Sequence, residues 1–361
     1  MAELRGVDRL WYSPDALSRA ARTALLPLEA AYGAVVAVRA RLYDSGVLRT
    51  RPAPIPAISV GNLSVGGTGK TPMAAWLVGR LARMGATPAV VLRGYGEDET
   101  LVHRLLNVDA MVLASADRAS GVERAAAAGC DVAVLDDAFQ HRRAARTVDV
   151  VLLSAERWSE RRRLLPAGPW REPLSALARA SLVVVTRKSA SAEAARHVAE
   201  RVARAVAGPP VAIVHLAPRD LRSLIRREGA SPRTDFETVQ LDALAGRRVL
   251  AISAIGDPRA FEEQLAALGA KVTSRPFPDH HRFTRLEIER LSKTVAELAR
   301  TDEGAPPLVV CTLKDAVKLA TRWPAEAPPL LYVSQRAEVE RGSDALDALL
   351  ARTLAARHSQ P

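Results

Sequence analysis

Cysteine is almost absent from this chain: two residues in 361, Cys130 and Cys311. They lie far apart and match no metal spacing, which argues against a disulfide scaffold or a zinc site and for buried, reduced thiols in a cytoplasmic protein. Aromatic residues make up only 4% of the sequence. With no interleaved basic and aromatic platform and no zinc-knuckle pattern, nucleic acid is not an expected partner. Long apolar runs are missing as well. The best of them, "AAYGAVVAV" (30–38), stops at Arg39, far short of the roughly 18 residues that a bilayer-spanning helix needs. The opening stretch "MAELRGVDRLWYSPD" is acidic and aromatic, unlike a secretory signal.

What is present reads as a folded α/β protein with a basic surface. Hydrophobic residues are 48% and charged residues 25%, typical of globular domains. The length suits one large or two ordinary domains. The formal charge of +11, from 51 basic and 40 acidic residues, favours phosphorylated or lipid-headgroup partners. A compositional bias toward arginine and alanine would produce the same excess.

Residues 14–45 read as one or two helices, started by Pro14 and Asp15 and broken or kinked at Pro27. Their apolar surface (Leu28, Tyr32, Val35, Val36) is flanked by Arg19, Arg22, Arg39 and Arg41. It suits either an interfacial membrane anchor or a helix packed on the core. "RPAPIPA" (51–57) is a linker. Short apolar runs then alternate with helical stretches: "AISV", "PAVVLR", "DVAVLDD", "VDVVLLS", "SLVVVTR" and "VAIVHL". Such alternation predicts a mainly parallel sheet with helices on both faces. After the polar interval "IRREGASPRTDFE" (225–237) a second set follows: "RRVLAISAI", "KVTSRPF", "PLVVCTL" and "LLYVS". The expected organisation is an amphipathic helical segment over 1–50, a phosphate-loop domain over 51–224, a linker over 225–245 and a smaller α/β domain over 246–361.

"GNLSVGGTGKTP" (61–72) joins the first strand to a helix beginning near Lys70. Strand, glycine-rich loop, helix is the context in which a phosphate loop works. Ser64, Val65, Gly66, Gly67, Thr68 and Gly69 supply a cradle of backbone N–H groups, and the helix N-terminus adds partial positive charge. Lys70 reaches the β and γ phosphates and the Thr71 hydroxyl ligates Mg2+ in such loops. Ser64 stands where the usual pattern has glycine. Downstream, "DVAVLDDAFQHRR" (131–143) ends an apolar strand in Asp136 and Asp137, the arrangement in which one carboxylate holds the metal. The expected cofactors are ATP and Mg2+.

Six segments, "SVGGTGKTP", "LRGYG", "LDDAFQHRR", "LLPAGPWREPLSAL", "FPDHHRFT" and "TLKDAVKL", occur in the order of the tetraacyldisaccharide 4′-kinase family of lipid A biosynthesis, which the chain closely resembles from about residue 8 to its last strand. The resemblance implies a P-loop NTPase-like fold and transfer of the ATP γ-phosphate to the 4′-hydroxyl of an acylated glucosamine disaccharide 1-phosphate, giving lipid IVA. It also implies peripheral attachment to the cytoplasmic side of the bacterial inner membrane through the N-terminal helix. By the same resemblance, Asp98 in "GYGEDE" is the general base, paired with His280 next to Asp279 in "FPDHH". The segment before Asp98 is shorter than usual and Glu97 replaces glycine, so Glu97 or Glu99 are alternatives. In this reading Tyr95 and Gln140 line the nucleotide or acceptor pocket, and Arg171 and Glu172 contact phosphate or sugar hydroxyls. Leu313 replaces the commoner glutamate of "TEKDAVK". The competing classes are a P-loop ATPase switch of the partitioning or metallochaperone type and a nucleotide-regulated lipid-binding protein. The ATPase switch needs neither a "DHH" loop nor an apolar N-terminal anchor.

Overall fold

The computed structural model describes residues 6–94, 96–224, 238–300 and 306–358; Tyr95 and residues 225–237 of the expected linker lie outside them. Three helices come first: α1 (Gly6–Tyr12), α2 (Ala16–Ala24) and α3 (Leu26–Asp44). Asp15 caps α2 by accepting from the Ser18 amide at 2.8 Å, as short polar side chains do at helix starts. Pro27 opens α3 rather than kinking its middle, where its missing donor costs nothing. No single helix among the described residues is long and apolar enough to cross a membrane; α2 and α3 meet that test only as a pair bent by 49°.

The first α/β half comprises β1 (Ala57–Asn62), α4 (Lys70–Arg83), β2 (Pro88–Leu92), α5 (Glu97–Leu106), β3 (Met111–Ala114), α6 (Arg118–Ala127), β4 (Val132–Asp136), β5 (Val148–Ser154), β6 (Leu182–Arg187), α7 (Ala192–Ala205) and β7 (Val211–Ser223). The second comprises β8 (Thr238–Val239), β9 (Arg248–Ser253), α8 (Pro258–Ala267), β10 (Lys271–Pro276), α9 (Arg285–Arg300), β11 (Leu308–Cys311), α10 (Leu313–Leu319), β12 (Leu330–Arg341) and α11 (Ser343–Ala355). Both runs join one sheet, ordered β10-β9-β11-β12-β7-β6-β5-β1-β4-β2-β3, with β8 beside β7. β1, β2 and β4 are buried at every position, as strands covered on both faces must be.

All main-path pairings are parallel except β12 with β7. These two long strands form the hinge of the design. The start of β7 (211–215) pairs with β6, and the start of β12 (330–332) pairs with β11. Between those contacts the strands run antiparallel to each other. The two parallel blocks therefore present their C-terminal edges toward one shared cleft, and C-terminal edges of parallel strands are where α/β proteins bind ligands.

The apolar side of α4 packs on one face of the first block, and α11 returns from the chain end to join it through Leu346, Leu349 and Leu350. Ala195, Val198 and Val202 of α7 cover the opposite face. In the second half α9 and α8 cover the two faces. Cys130 and Cys311 are buried and unpaired.

Candidate active site

The loop after β1 is held from three sides. Val65 N donates to Pro169 O at 2.8 Å and Arg171 N to Leu63 O at 2.7 Å, so the "AGPWRE" segment braces it from outside. Asn62 Nδ2 donates to Thr68 Oγ1 at 2.9 Å, and Lys188 Nζ donates to Gly67 O at 2.7 Å. Gly69, at φ 82°, stands at the entry to α4. That left-handed backbone favours glycine, and a Cβ there would come 2.3 Å from Leu216 Cδ1, which would have to move. What remains is the unpaired first-turn N–H groups of α4, the donors that a helix start offers to an anion.

Lys70 and Thr71 begin α4, and β4 delivers Asp136 and Asp137 beside them. Thr71 Oγ1 lies 3.3 Å from Asp136 Oδ2. Lys70 Nζ is 3.6 Å from Asp137 Oδ1, which Arg171 Nη1 also approaches at 3.0 Å. Burial pushes the Lys70 ammonium below the usual lysine range, against the pull of Asp137. For Asp137, burial alone would raise the carboxyl, but Lys70 and then Arg171 outweigh it and hold the group below the ordinary carboxylate value. Burial likewise opposes ionisation of Asp136, and the bond from His103 together with the charges around it reverses the balance. Asp136 Oδ1 is buried with no hydrogen-bond partner. Such an orphan costs about 1–3 kcal/mol unless something else satisfies it.

These groups open into a cavity of about 920 Å3 between the two halves. Gly66, Gly67, Gly69, Lys70 and Thr71 line it, as do Asp136, Asp137, Gln140 and Arg171. From the second half Asp279 and His280 enter it at the end of β10. His280 holds a left-handed backbone, φ 60°, with Nε2 at 3.9 Å from Asp279 Oδ1. The neighbouring His281 instead stacks on Phe277 and bonds Glu287, anchoring the loop. Gln140 Nε2 donates to Asn62 O, bracing the start of the loop.

Three expected residues lie elsewhere. Ser64 forms an isolated bridge with Trp170 and does not line the cavity. Glu172 is buried against Arg179, 2.7 Å from Nη2, and does not line the cavity. Asp98 sits in the first turn of α5 with Oδ2 at 3.4 Å from Lys318 Nζ; Glu99, 3.7 Å from Lys314, lines the cavity, and the side chain of Glu97 lies outside the described ones. Tyr95 falls outside the described residues.

Several site residues escaped the sequence. His103 on α5 contacts Asp136 at 2.9 Å, and no local motif marks it. Lys188 directly follows β6 at the same sheet edge as the loop, a position that strand order could have flagged. Gly256 and Asp257 start α8 and press on the loop: a Cβ on Gly256 would lie 2.9 Å from Gly66 Cα and from Gly67 N.

The family model for tetraacyldisaccharide-1-P 4′-kinase matches residues 21–355. The chain belongs to that family. Among its relatives, the tetraacyldisaccharide 4′-kinase of Anaeromyxobacter sp. (strain K) is 40% identical, with 98% of this chain and 97% of the relative covered. That of Azoarcus sp. (strain BH72) is 35% identical, with 95% of each covered. The crystal structure of LpxK from Aquifex aeolicus in complex with ATP superimposes with a TM-score of 0.67 at 29% identity, covering 92% of this chain and 99% of that one. This tetraacyldisaccharide 4′-kinase family member thus has the expected P-loop kinase fold, its P-loop and "DHH" segment opening into one cleft.

Proposed function

We propose that the chain transfers the γ-phosphoryl group of ATP to the 4′-hydroxyl of a tetraacyldisaccharide 1-phosphate, forming lipid IVA at the cytoplasmic face of the inner membrane. One observation carries this reading beyond the family relationship: the P-loop, the aspartate pair and the Asp279–His280 loop converge on one cavity from two sheet edges.

The amides of residues 66–71 and the N-terminus of α4 bind the phosphates, and Lys70 neutralises charge as the γ-phosphoryl group leaves. The Thr71 hydroxyl and the Asp136 carboxylate would supply an all-oxygen donor set for a hard divalent cation such as Mg2+, which the partnerless buried Oδ1 fits. Asp137, held by Lys70 and Arg171, is the second carboxylate of the set. When bound, Mg2+ offsets the negative charge of the β and γ oxygens.

A sugar hydroxyl needs a proton acceptor, and Asp98 takes that role after leaving Lys318, with His280 and Asp279 orienting it across the cleft. Glu99, which lines the cavity, and Glu97 are the alternative bases. Gln140 and Arg171 border the nucleotide.

The N-terminal helices fit an acylated acceptor. α3 turns Tyr32 and Val36 toward the protein while Leu28 and Val35 stay 58% and 65% exposed. Tyr32 Oη donates to Arg171 O and Arg39 Nη2 to Gln140 O, tying an apolar face for lipid to residues at the phosphate site. Incubation with γ-labelled ATP and tetraacyldisaccharide 1-phosphate tests the assignment. Label in the lipid supports it; ATP turnover with unlabelled lipid would move the protein to the ATPase-switch class.

A further inference from the structure

We propose that His103 is a positioning residue for divalent-metal binding, fixing the Asp136 carboxylate so that Oδ1 is the oxygen presented to a cation. The inference rests on the metal assignment of Asp136 above and adds a residue outside the loop and aspartate motifs.

His103 occupies the last turn of α5 and is 1% exposed. An imidazole buried that deeply is costly unless it hydrogen-bonds. Its Nε2 lies 2.9 Å from Asp136 Oδ2. Thr71 Oγ1 approaches the same oxygen at 3.3 Å. Arg118 Nη2 donates to the Asp136 backbone carbonyl at 3.2 Å, fixing the residue from its other side. Both side-chain donors therefore load Oδ2 and none reaches Oδ1, which is buried without a partner. A ring that donates through Nε2 keeps its proton there, and Nδ1 is itself buried with no bond.

A histidine serving only the core would satisfy itself on whatever polar atom is near. Here it selects one oxygen of a carboxylate whose other oxygen is buried without a partner. Partners of metal-binding groups set ligand orientation in this way, and their loss typically weakens metal binding about 10- to 100-fold. The placement also couples two parts of the site. Glu99, which lines the cavity, lies in the first turn of the helix that carries His103 in its last, so one rigid element carries both the partner of the metal carboxylate and an acidic residue of the cleft.

The test uses the full chain with a non-hydrolysable ATP analogue and Mn2+ as the paramagnetic probe, comparing wild type with His103→Leu and His103→Gln. Leucine keeps the volume and removes the donor; glutamine returns an N–H at similar reach. Nucleotide affinity in EDTA and Tm serve as controls for folding. Mn2+ Kd should rise about 10- to 100-fold in His103→Leu, metal-free nucleotide affinity should hold, and His103→Gln should recover most of the loss. The Mg2+ concentration for half-maximal transfer should shift by the same factor. Unchanged Mn2+ affinity in His103→Leu overturns the proposal, as does a His103→Gln variant no better than leucine with both losing Tm alike. If wild type itself binds no Mn2+ beside the nucleotide, the metal assignment of Asp136 fails, and the role of His103 fails with it.

Discussion

Replacing Lys70 with methionine removes a charge while keeping the side-chain volume, and the geometry separates its effects on stability and catalysis. Nζ lies 3.6 Å from Asp137 Oδ1, a gross attraction of about 5 kcal/mol at an effective dielectric near 20. Burial opposes it strongly enough to pull the lysine below its usual range, so the pair contributes little net stability. Asp137 also keeps Arg171 at 3.0 Å and is not left uncompensated. Tm should therefore change little in Lys70→Met. Transfer should collapse, because the lysine acts on charge that develops only as the γ-phosphoryl group moves. Loss of one such preorganised donor costs about 10²–10³ in kcat. Single-turnover transfer from γ-labelled ATP, read beside a thermal melt, checks both halves. Near-normal transfer, or a fold that fails along with the activity, would refute this reading of the lysine.

Four further outcomes are expected. Asp98→Asn should lower kcat about 10²–10⁴-fold with ATP binding retained; a larger loss in Glu99→Gln, measured in parallel, would transfer the base role to Glu99. Gly256→Ala puts a methyl 2.9 Å from the P-loop backbone and should cost about 1–3 kcal/mol, read as a lower Tm or a raised KM for ATP, and unchanged values for both would show that the halves do not press together there. Glu287 is pulled from 4.5 to about 2 by the Thr284 amide, His281 and the Thr284 hydroxyl. Because the folded value is the lower one, this contribution is complete above the unfolded value and fades as pH falls from 4.5 toward 2; Glu287→Gln should flatten the Tm profile in that window, and parallel profiles would contradict it. Leu28→Glu with Val35→Glu should reduce partition onto anionic vesicles, whereas unchanged partition would count against α3 as the lipid-facing element.

Much of the first block was legible because its strands are buried on both faces and read as unbroken apolar runs. β3 (Met111–Ala114) escaped notice because it is a four-residue edge strand, exposed or half-exposed throughout. β7 and β12 were each expected to end early. The second half of β7 mixes buried and partly exposed positions and that of β12 is nowhere fully buried, so neither reads as an apolar run; they are held by pairing with each other, a long-range contact without a local signature. The antiparallel seam was hidden for the same reason, and with it the convergence of two C-terminal edges. The segment near residues 26–44 suited both a packed helix and a lipid-facing one, and α3 carries apolar residues on both its packed and its exposed sides. The loop, Thr71 and the aspartate pair could be placed from spacing because strand-loop-helix geometry is local. The ion pairs of Asp98 with Lys318 and Glu99 with Lys314 could not, since they depend on α10 from the second half lying against α5.

A crystal structure with Mg2+ and a non-hydrolysable ATP analogue tests the central claim most directly. The account predicts the γ-phosphate within hydrogen-bond reach of Lys70 Nζ and the cation bound to Thr71 Oγ1 and Asp136 Oδ1, with the γ-phosphate open toward Asp279 and His280. A triphosphate seated away from Thr71, or one walled off from the second half, would contradict it.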